Sequence, residues 1–302
     1  MTWRSIIAVL GSLLLVPQLF ANPFGDSLVV VFTGGMRGRA DGCGCSSGPQ
    51  GGLDRRATLL RQSLGDAPTI ALDCGGILDL DPEGGLAKSR CTISGLAREG
   101  LRAISVSSRD LFYGTKFLGE VAGKTGVKLL SLNIVHSPDT GKPFYDRWMV
   151  IDFAGKSVAV TGVSQPVQPR SGIEPGEWIS LPPDSLYPLL AATHPVNADL
   201  TILLTDLDEA SLRRFLDKTT LFDLAFTSSL QVYSATPFEV GKCLVQRPDN
   251  DGRSFEAVII PASGDATNSR FIRSPITKTV PADPATSDWL RECLGKSSAK
   301  KD

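Results

Sequence analysis

The sequence predicts an α/β fold, and three observations carry that prediction. Short apolar runs rich in β-branched residues alternate with stretches of helical spacing along most of the chain. Gly- and Pro-rich segments bound these runs, as turns between strands and helices do. About 280 residues remain after an N-terminal leader, enough for one large domain with a sizeable core.

The elements follow in order. Leu28 to Thr33 is a continuous apolar run, the mark of a buried strand. A Gly-rich loop leads to a helix over Asp54 to Leu64, on which Leu53, Leu59, Leu60 and Leu64 share a face. Thr69 to Asp73 is a second strand, Leu86 to Glu99 a helix and Ala103 to Val106 a third strand. Phe117 to Ala122 is helical, and Val127 to Leu132 makes a fourth strand. Such alternation argues for parallel βαβ units. Trp148 to Phe153 and Ser157 to Gly162 flank Ala154-Gly155-Lys156 and read as a hairpin. Beyond the Pro-rich stretch from Pro166 to Pro183, Leu200 to Leu204 is a strand, Glu209 to Leu216 a helix and Phe222 to Phe226 a strand. Glu239 to Gln246 and Phe255 to Ile260 are expected to pair around Asp249-Asn250-Asp251-Gly252 as a second hairpin. The tail, 278 to 302, holds a short helix near Trp289 to Leu294.

Arg4, the apolar stretch Ile6 to Val16 and Leu19-Phe20-Ala21 form a secretory signal over residues 1 to 21. A retained anchor is the alternative. The expectation is a soluble periplasmic or secreted chain with no integral membrane span after signal removal, its main domain running from 22 to 277. Acidic residues number 32 against 31 basic ones, with no long basic run, so nucleic acid and anionic membrane surfaces are not expected partners. Six cysteines (Cys43, Cys45, Cys74, Cys91, Cys243 and Cys293) in an exported chain suggest disulfides.

Val31-Phe32-Thr33-Gly34-Gly35-Met36-Arg37-Gly38 resembles the first motif of the calcineurin-like metallophosphoesterases of 5′-nucleotidase type. Gly51-Gly52-Leu53-Asp54-Arg55-Arg56 is similar to the Gly-Gly-Leu-x-Arg-Arg of a bacterial subgroup, which also carries Cys-Gly-Cys upstream, here Cys43-Gly44-Cys45. Leu129 to Ile134 and Val158 to Val163 match as well, so the resemblance spans roughly Leu28 to Ile260. It implies a four-layer αββα sandwich and a dinuclear metal site that would polarise a phosphate and activate water.

The frame of each motif is kept and its ligand positions are not. Where the family has Phe-Thr-Asn-Asp-x-His-Gly, the Asp and His positions are Gly35 and Arg37. The bridging aspartate of Asp-x-Gly-Asp is Gly76. Ser108 and Arg109 stand for the Asn ligand and catalytic His of Gly-Asn-His-Glu. Asp206 replaces the His of Leu-Ser-His-Leu, and Ser229 and Gln231 replace the last two histidines. The chain has two histidines, His136 and His194, both outside the motifs and read as surface residues. Glycine has no donor and guanidinium no lone pair, so no dinuclear metal is expected.

Two pairs of readings stay open on sequence. Cys43, Cys45, Cys74 and Cys91 form either structural disulfides or a thiolate cluster for a soft metal or redox chemistry. Cys243 and Cys293 could staple the tail to the last hairpin. Arg37, Arg39, Arg55, Arg56 and Arg109 either ring an anion pocket or compensate Asp73, Asp110 and Asp206. Asp208 is read as the cap of the helix that follows it. The leading function is a non-enzymatic binding or accessory protein, a pseudoenzyme that holds an anionic small molecule or a protein partner in the old cleft. The alternatives are a Cys-rich metal or redox protein on the same scaffold, and residual metal-dependent phosphoesterase activity.

Overall fold

The computed structural model describes residues 24–45, 48–153, 155–166, 177–232 and 236–298. The segment read as a secretory signal, Ala154 of the first hairpin turn and part of the Pro-rich stretch lie outside the described residues. In chain order, the first half contains β1 (Leu28–Thr33), β2 (Cys43–Cys45), β3 (Gly48–Gln50), α1 (Leu53–Leu64), β4 (Thr69–Asp73), α2 (Gly85–Arg98), β5 (Leu101–Ser105), α3 (Thr115–Thr125), β6 (Lys128–Leu130) and β7 (Ile134–His136). The second contains β8 (Trp148–Phe153), β9 (Lys156–Val163), β10 (Trp178–Ser180), α4 (Tyr187–Thr193), β11 (Leu200–Thr205), α5 (Glu209–Asp217), β12 (Leu224–Thr227), β13 (Phe238–Val240), β14 (Cys243–Gln246), β15 (Ser254–Ile260), β16 (Arg270–Pro275) and α6 (Pro284–Ser298). Among the described residues no helix is long and apolar enough to cross a membrane.

Two six-stranded sheets form the body, ordered β16-β15-β1-β4-β5-β6 and β13-β14-β12-β11-β9-β8. The four strands β1, β4, β5 and β6 run parallel, as do β9, β11, β12 and β14. Strand residues alternate between faces, and the packing follows that period. Leu28, Val30 and Phe32 of β1 meet Ile202, Leu204 and Phe226 of the other sheet in one central core. Phe32 stacks on Phe226 with ring centroids 4.1 Å apart. Val29 and Val31 point the opposite way, toward Leu64 of α1. Helices α2, α3 and α6 cover the first sheet, and α4 and α5 cover the second. The result is the αββα sandwich that the sequence led us to expect.

The β8–β9 hairpin forms, but Lys156, read from sequence as part of the turn, belongs to the strand and pairs with Phe153, and β8 is an edge of the second sheet. The second expected hairpin does not form. Gly241, at φ 58°, turns the chain between β13 and β14, which pair with each other. Every residue of β15 is buried, so it needs neighbours on both sides and finds them in β1 and β16 of the other sheet. Residues 247 to 253 are therefore a crossover between the sheets.

The tail is a structural part of the first sheet's outer layer. Asp283 accepts a hydrogen bond from Thr286 N at the start of α6 and pairs with Arg61 of α1 at 2.6 Å. A side chain at Gly95 of α2 would meet the Trp289 ring at 3.0 Å, so a glycine there lets α6 lie close. Cys293 is bonded to Cys91 of α2, not to Cys243, which is a buried free thiol on β14 in the other half. The bridge closes a loop with a separation of 202 residues. Removing it by Cys293→Ser should lower Tm by roughly 5–10 °C, a loss of a few kcal/mol for a loop this long. Calorimetry of the two proteins checks this, and an unchanged Tm would mean that α6 is held by its packing alone.

Candidate functional site

Parallel strands deliver their following loops to one edge of a sheet, and here both sheets do so side by side. The loops after β1, β4, β5, β9, β11 and β12 line a cleft of about 500 Å³. All of the family-ligand positions named from the sequence lie on its wall: Gly35, Arg37, Gly76, Ser108, Arg109, Asp206, Ser229 and Gln231. The motif frames thus position these residues together, whatever their chemistry.

The first two loops are joined by backbone hydrogen bonds that extend the β1–β4 pairing past the strand ends. Gly35 N donates to Gly75 O at 2.8 Å, Arg37 N to Gly76 O at 3.1 Å and Gly38 N to Ile77 O at 2.8 Å. Such close approach needs positive φ at Gly35, Gly76 and Gly38, at 61°, 74° and 72°. A Cβ at Gly76 would sit 3.2 Å from the Gly35 Cα, and one at Gly35 would collide with Oδ1 of Asn250. A side chain at Gly35 would have to displace the Asn250 side chain, one at Gly76 would press on the Gly35 backbone, and both would sit at positive φ. Asp206 is the one carboxylate among the named positions, and its Oδ1 already accepts from Gln165 N at 2.6 Å. Among the described residues no group of three or more His, Cys, Asp or Glu could hold a metal ion. The residues present do not fit a dinuclear centre.

The buried aspartates of the cleft find backbone amides and hydroxyls, not arginines. Asp110 accepts from Gly76 N (2.9 Å), Ile77 N (2.8 Å), Leu78 N (3.3 Å), Ser107 N (3.0 Å) and Ser107 Oγ (2.6 Å). The turn at 75 to 78 is thus an anion nest whose anion is the protein's own. Asp73, fully buried, accepts from Thr33 Oγ1 and Gly75 N, each at 2.7 Å. Burial pushes its pKa up to about 7, against the lowering effect of the Thr33 bond. Burial likewise raises Asp206 to about 7, despite its Gln165 bond.

Of the five arginines considered from sequence, Arg37 and Arg109 line the cleft. Arg109 Nε donates to Leu78 O at 2.7 Å, and desolvation, then the Arg37 charge, lower its pKa. Arg37 faces Asp251 at 3.7 Å. Arg56 is buried against Glu99 at 2.7 Å and over the Phe255 ring, Arg55 lies beside Asp54, and Arg39 is exposed off the cleft wall. Among the described residues none of these arginines forms an ion pair with Asp73, Asp110 or Asp206, and the Arg56 charge reaches Asp73 only as a minor influence behind burial and its hydrogen bonds.

The thiolate cluster does not assemble either. Cys43 and Cys91 are disulfide-bonded, and the side chain of Cys45 lies outside the described residues. Cys74 donates its thiol to Thr33 O at 2.8 Å, and burial, then Asp73, push its pKa well up. Asp208 caps α5 as expected, accepting from Ser211 N at 2.8 Å, and also takes Gln165 Nε2 at 2.7 Å. Gln165, Asn250 and Asp251 were not foreseen as site residues, and Asp110 was considered only as a charge for the arginines to compensate. Nothing in its type marks it as the partner of a distant glycine turn.

No protein-family model matches this sequence, and no curated protein matches it at the sequence level. Solved structures do match the fold. Sulfate thiohydrolase SoxB from Thermus thermophilus superposes with a TM-score of 0.75 at 16% identity, over 92% of this chain and 62% of that one. A 5′-nucleotidase precursor, also from Thermus thermophilus, gives 0.68 at 17% identity, over 91% and 59%. The calcineurin-like phosphoesterase YfkN from Bacillus subtilis gives 0.63 at 16% identity, over 91% and 97%. The chain spans about three-fifths of the first two structures. It has the calcineurin-like metallophosphoesterase fold of 5′-nucleotidase type.

Two measurements test the electrostatics of the site. Asp73 binds its proton more tightly folded than unfolded, so stability should fall as pH rises from about 4 to about 7. Tm should be higher at pH 5 than at pH 8, and Asp73→Asn should narrow that difference. An equal difference in the variant would assign the pH dependence to other groups. Asp110→Ala leaves several buried amides without an acceptor and should cost about 3 kcal/mol or more in a urea titration. A loss under about 1 kcal/mol would mean that water replaces the carboxylate.

Proposed function

We propose that this protein is an exported, non-catalytic binding protein that holds an anionic ligand in the cleft where metallophosphoesterases of this fold carry out their chemistry. The observation that carries this reading is the convergence of all eight ligand positions on one cavity, with guanidiniums of Arg37 and Arg109 in place of metal donors. Guanidinium forks bind phosphate or carboxylate without a metal, and they remain charged at any physiological pH. They cannot take a proton from water, and the Asp206 carboxylate is engaged by the Gln165 amide, so the named ligand positions supply no free base to activate a nucleophile. Export is supported by the leader sequence and by the Cys91–Cys293 bridge, which suits an oxidising compartment.

A soft-metal or redox role for the cysteines has little support. The bonded sulfurs are consumed, and the free thiols of Cys74 and Cys243 are buried and hard to ionise. Residual phosphoesterase activity would need a metal that the donor set does not fit.

Arg37 offers a decisive variant. It is a non-glycine residue at φ 49°, a left-handed conformation that costs an L side chain about 1 kcal/mol. Arg37→Gly should therefore keep or raise Tm while weakening orthophosphate binding at least tenfold in metal-depleted buffer. Calorimetric titration and thermal melts of both proteins check this. Unchanged binding, or binding by the wild type that needs added manganese, would sink the reading.

A further inference from the structure

The crossover between the sheets builds a second cavity of about 480 Å³ beside the first. The two share Arg37 and Leu230, so they meet across one rim. Leu230 is 55% exposed at that junction. Beyond it, the second cavity is walled by Arg247, Asp249, Asn250, Asp251 and Arg253 of the crossover and by Thr277, and Asp249 is turned to Ser254, whose hydroxyl donates to it at 2.9 Å.

The charges along this double cleft are not equally committed. At the junction, Asp251 faces Arg37 at 3.7 Å and Arg253 at 3.0 Å, so one carboxylate serves two guanidiniums. Asp251 is itself in a left-handed conformation, φ 59°, and its N–H donates to Gly35 O at 2.9 Å. The junction is thereby tied to the loop after β1. On either side lies a guanidinium with no carboxylate within ion-pair distance among the described residues: Arg109 in the first cavity and Arg247 in the second. Arg247 Nε is buried without a hydrogen-bond partner, as is the acceptor Oδ1 of Asn250 on the same wall. A buried donor left unmet costs free energy unless a ligand or water supplies an acceptor.

The residue is not loosely placed. Its backbone carbonyl accepts from Arg273 Nη2 at 2.5 Å, and Arg273 is in turn fixed by Glu256 of β15 at 2.8 Å. Its main chain is anchored to β15 and β16, while its own Nε lacks a partner.

We propose that the two cavities are one bipartite site for an elongated ligand with two separated anionic groups, one held by Arg109 and Arg37 and the other by Arg247 and Arg253. This rests on the anion-binding reading of the first cavity and extends it to the ligand's shape and charge. A molecule that reaches both ends gains from the second contact as an intramolecular event, so its affinity should exceed that of a single anion in the first cavity.

The test is calorimetric titration of the full exported protein in metal-depleted buffer with a series of linear phosphates: orthophosphate, pyrophosphate, tripolyphosphate and a longer chain. The expected result is a step of at least tenfold in affinity at the length that spans the junction. Arg247→Met should abolish that step and leave orthophosphate affinity within twofold, with Tm confirming that the variant is folded. Arg109→Met should weaken every member of the series. Orthophosphate binding with no step at any length would overturn the bipartite site and leave the first cavity's role intact. A step that survives in Arg247→Met would overturn it too, by assigning the gain to charge alone. Failure of the wild type to bind any member would overturn both readings together.

Discussion

A carboxylate can be buried without a cation only if hydrogen bonds replace the water it loses, and Asp110 shows how the cleft meets that condition. Its two oxygens collect the amides of Gly76, Ile77 and Leu78 and both donors of Ser107. This fixes the turn after β4 against the loop after β5. The turn then presents the carbonyls of Gly75, Gly76 and Ile77 to the loop after β1. Three loops from three strands are therefore locked by one side chain, and the positions of Gly35, Arg37 and Arg109 follow from it. Burial alone would disfavour the charge, and the amides work against that tendency.

Sterics and backbone conformation both disfavour side chains at two of the cleft positions. Glycine at 35 and 76 allows two backbones to pass at a distance where a Cβ would already be tight. The absence of side-chain donors there and the closeness of the loops are one fact seen twice. A metal centre needs donors held apart around an ion. This wall is closed by backbone pairing instead, and Asn250 covers it from the crossover side.

Much of this was legible in the sequence, and the remainder was not for identifiable reasons. Strand β1 and the helix from Leu53 to Leu64 declare themselves by periodicity, and the motif frames placed eight separated residues in one cleft. The crossover was hidden because Asp249-Asn250-Asp251-Gly252 is turn chemistry in any setting. Only the complete burial of β15 requires it to cross into the other sheet, and burial is a tertiary property. The same error concealed Arg247, Asn250 and Asp251, since a hairpin tip would have left them far from the cleft. Pairing of Cys91 with Cys293 was equally out of reach, because connectivity depends on how α6 returns to α2. The alternative in which arginines pair with the buried aspartates misses the structure for a simpler reason. Backbone amides in glycine turns are donors that no side-chain inventory counts.

Arginine and a divalent metal both bring positive charge to the carboxyl ends of the strands, but they differ in what they can do with it. A metal polarises a bound oxygen and lowers the pKa of water, which creates a nucleophile. A guanidinium offers fixed, planar donors, holds no exchangeable ligand and does not titrate near neutrality. Substituting one for the other keeps attraction and orientation while removing the means of activating water. Asp206 does not restore it. Its pKa near 7 suits proton transfer, yet one oxygen is tied to Gln165 N. A carboxylate held in this way orients the loop after β9 before it serves as a base. The proposed binding role asks of the cleft only what such donors supply.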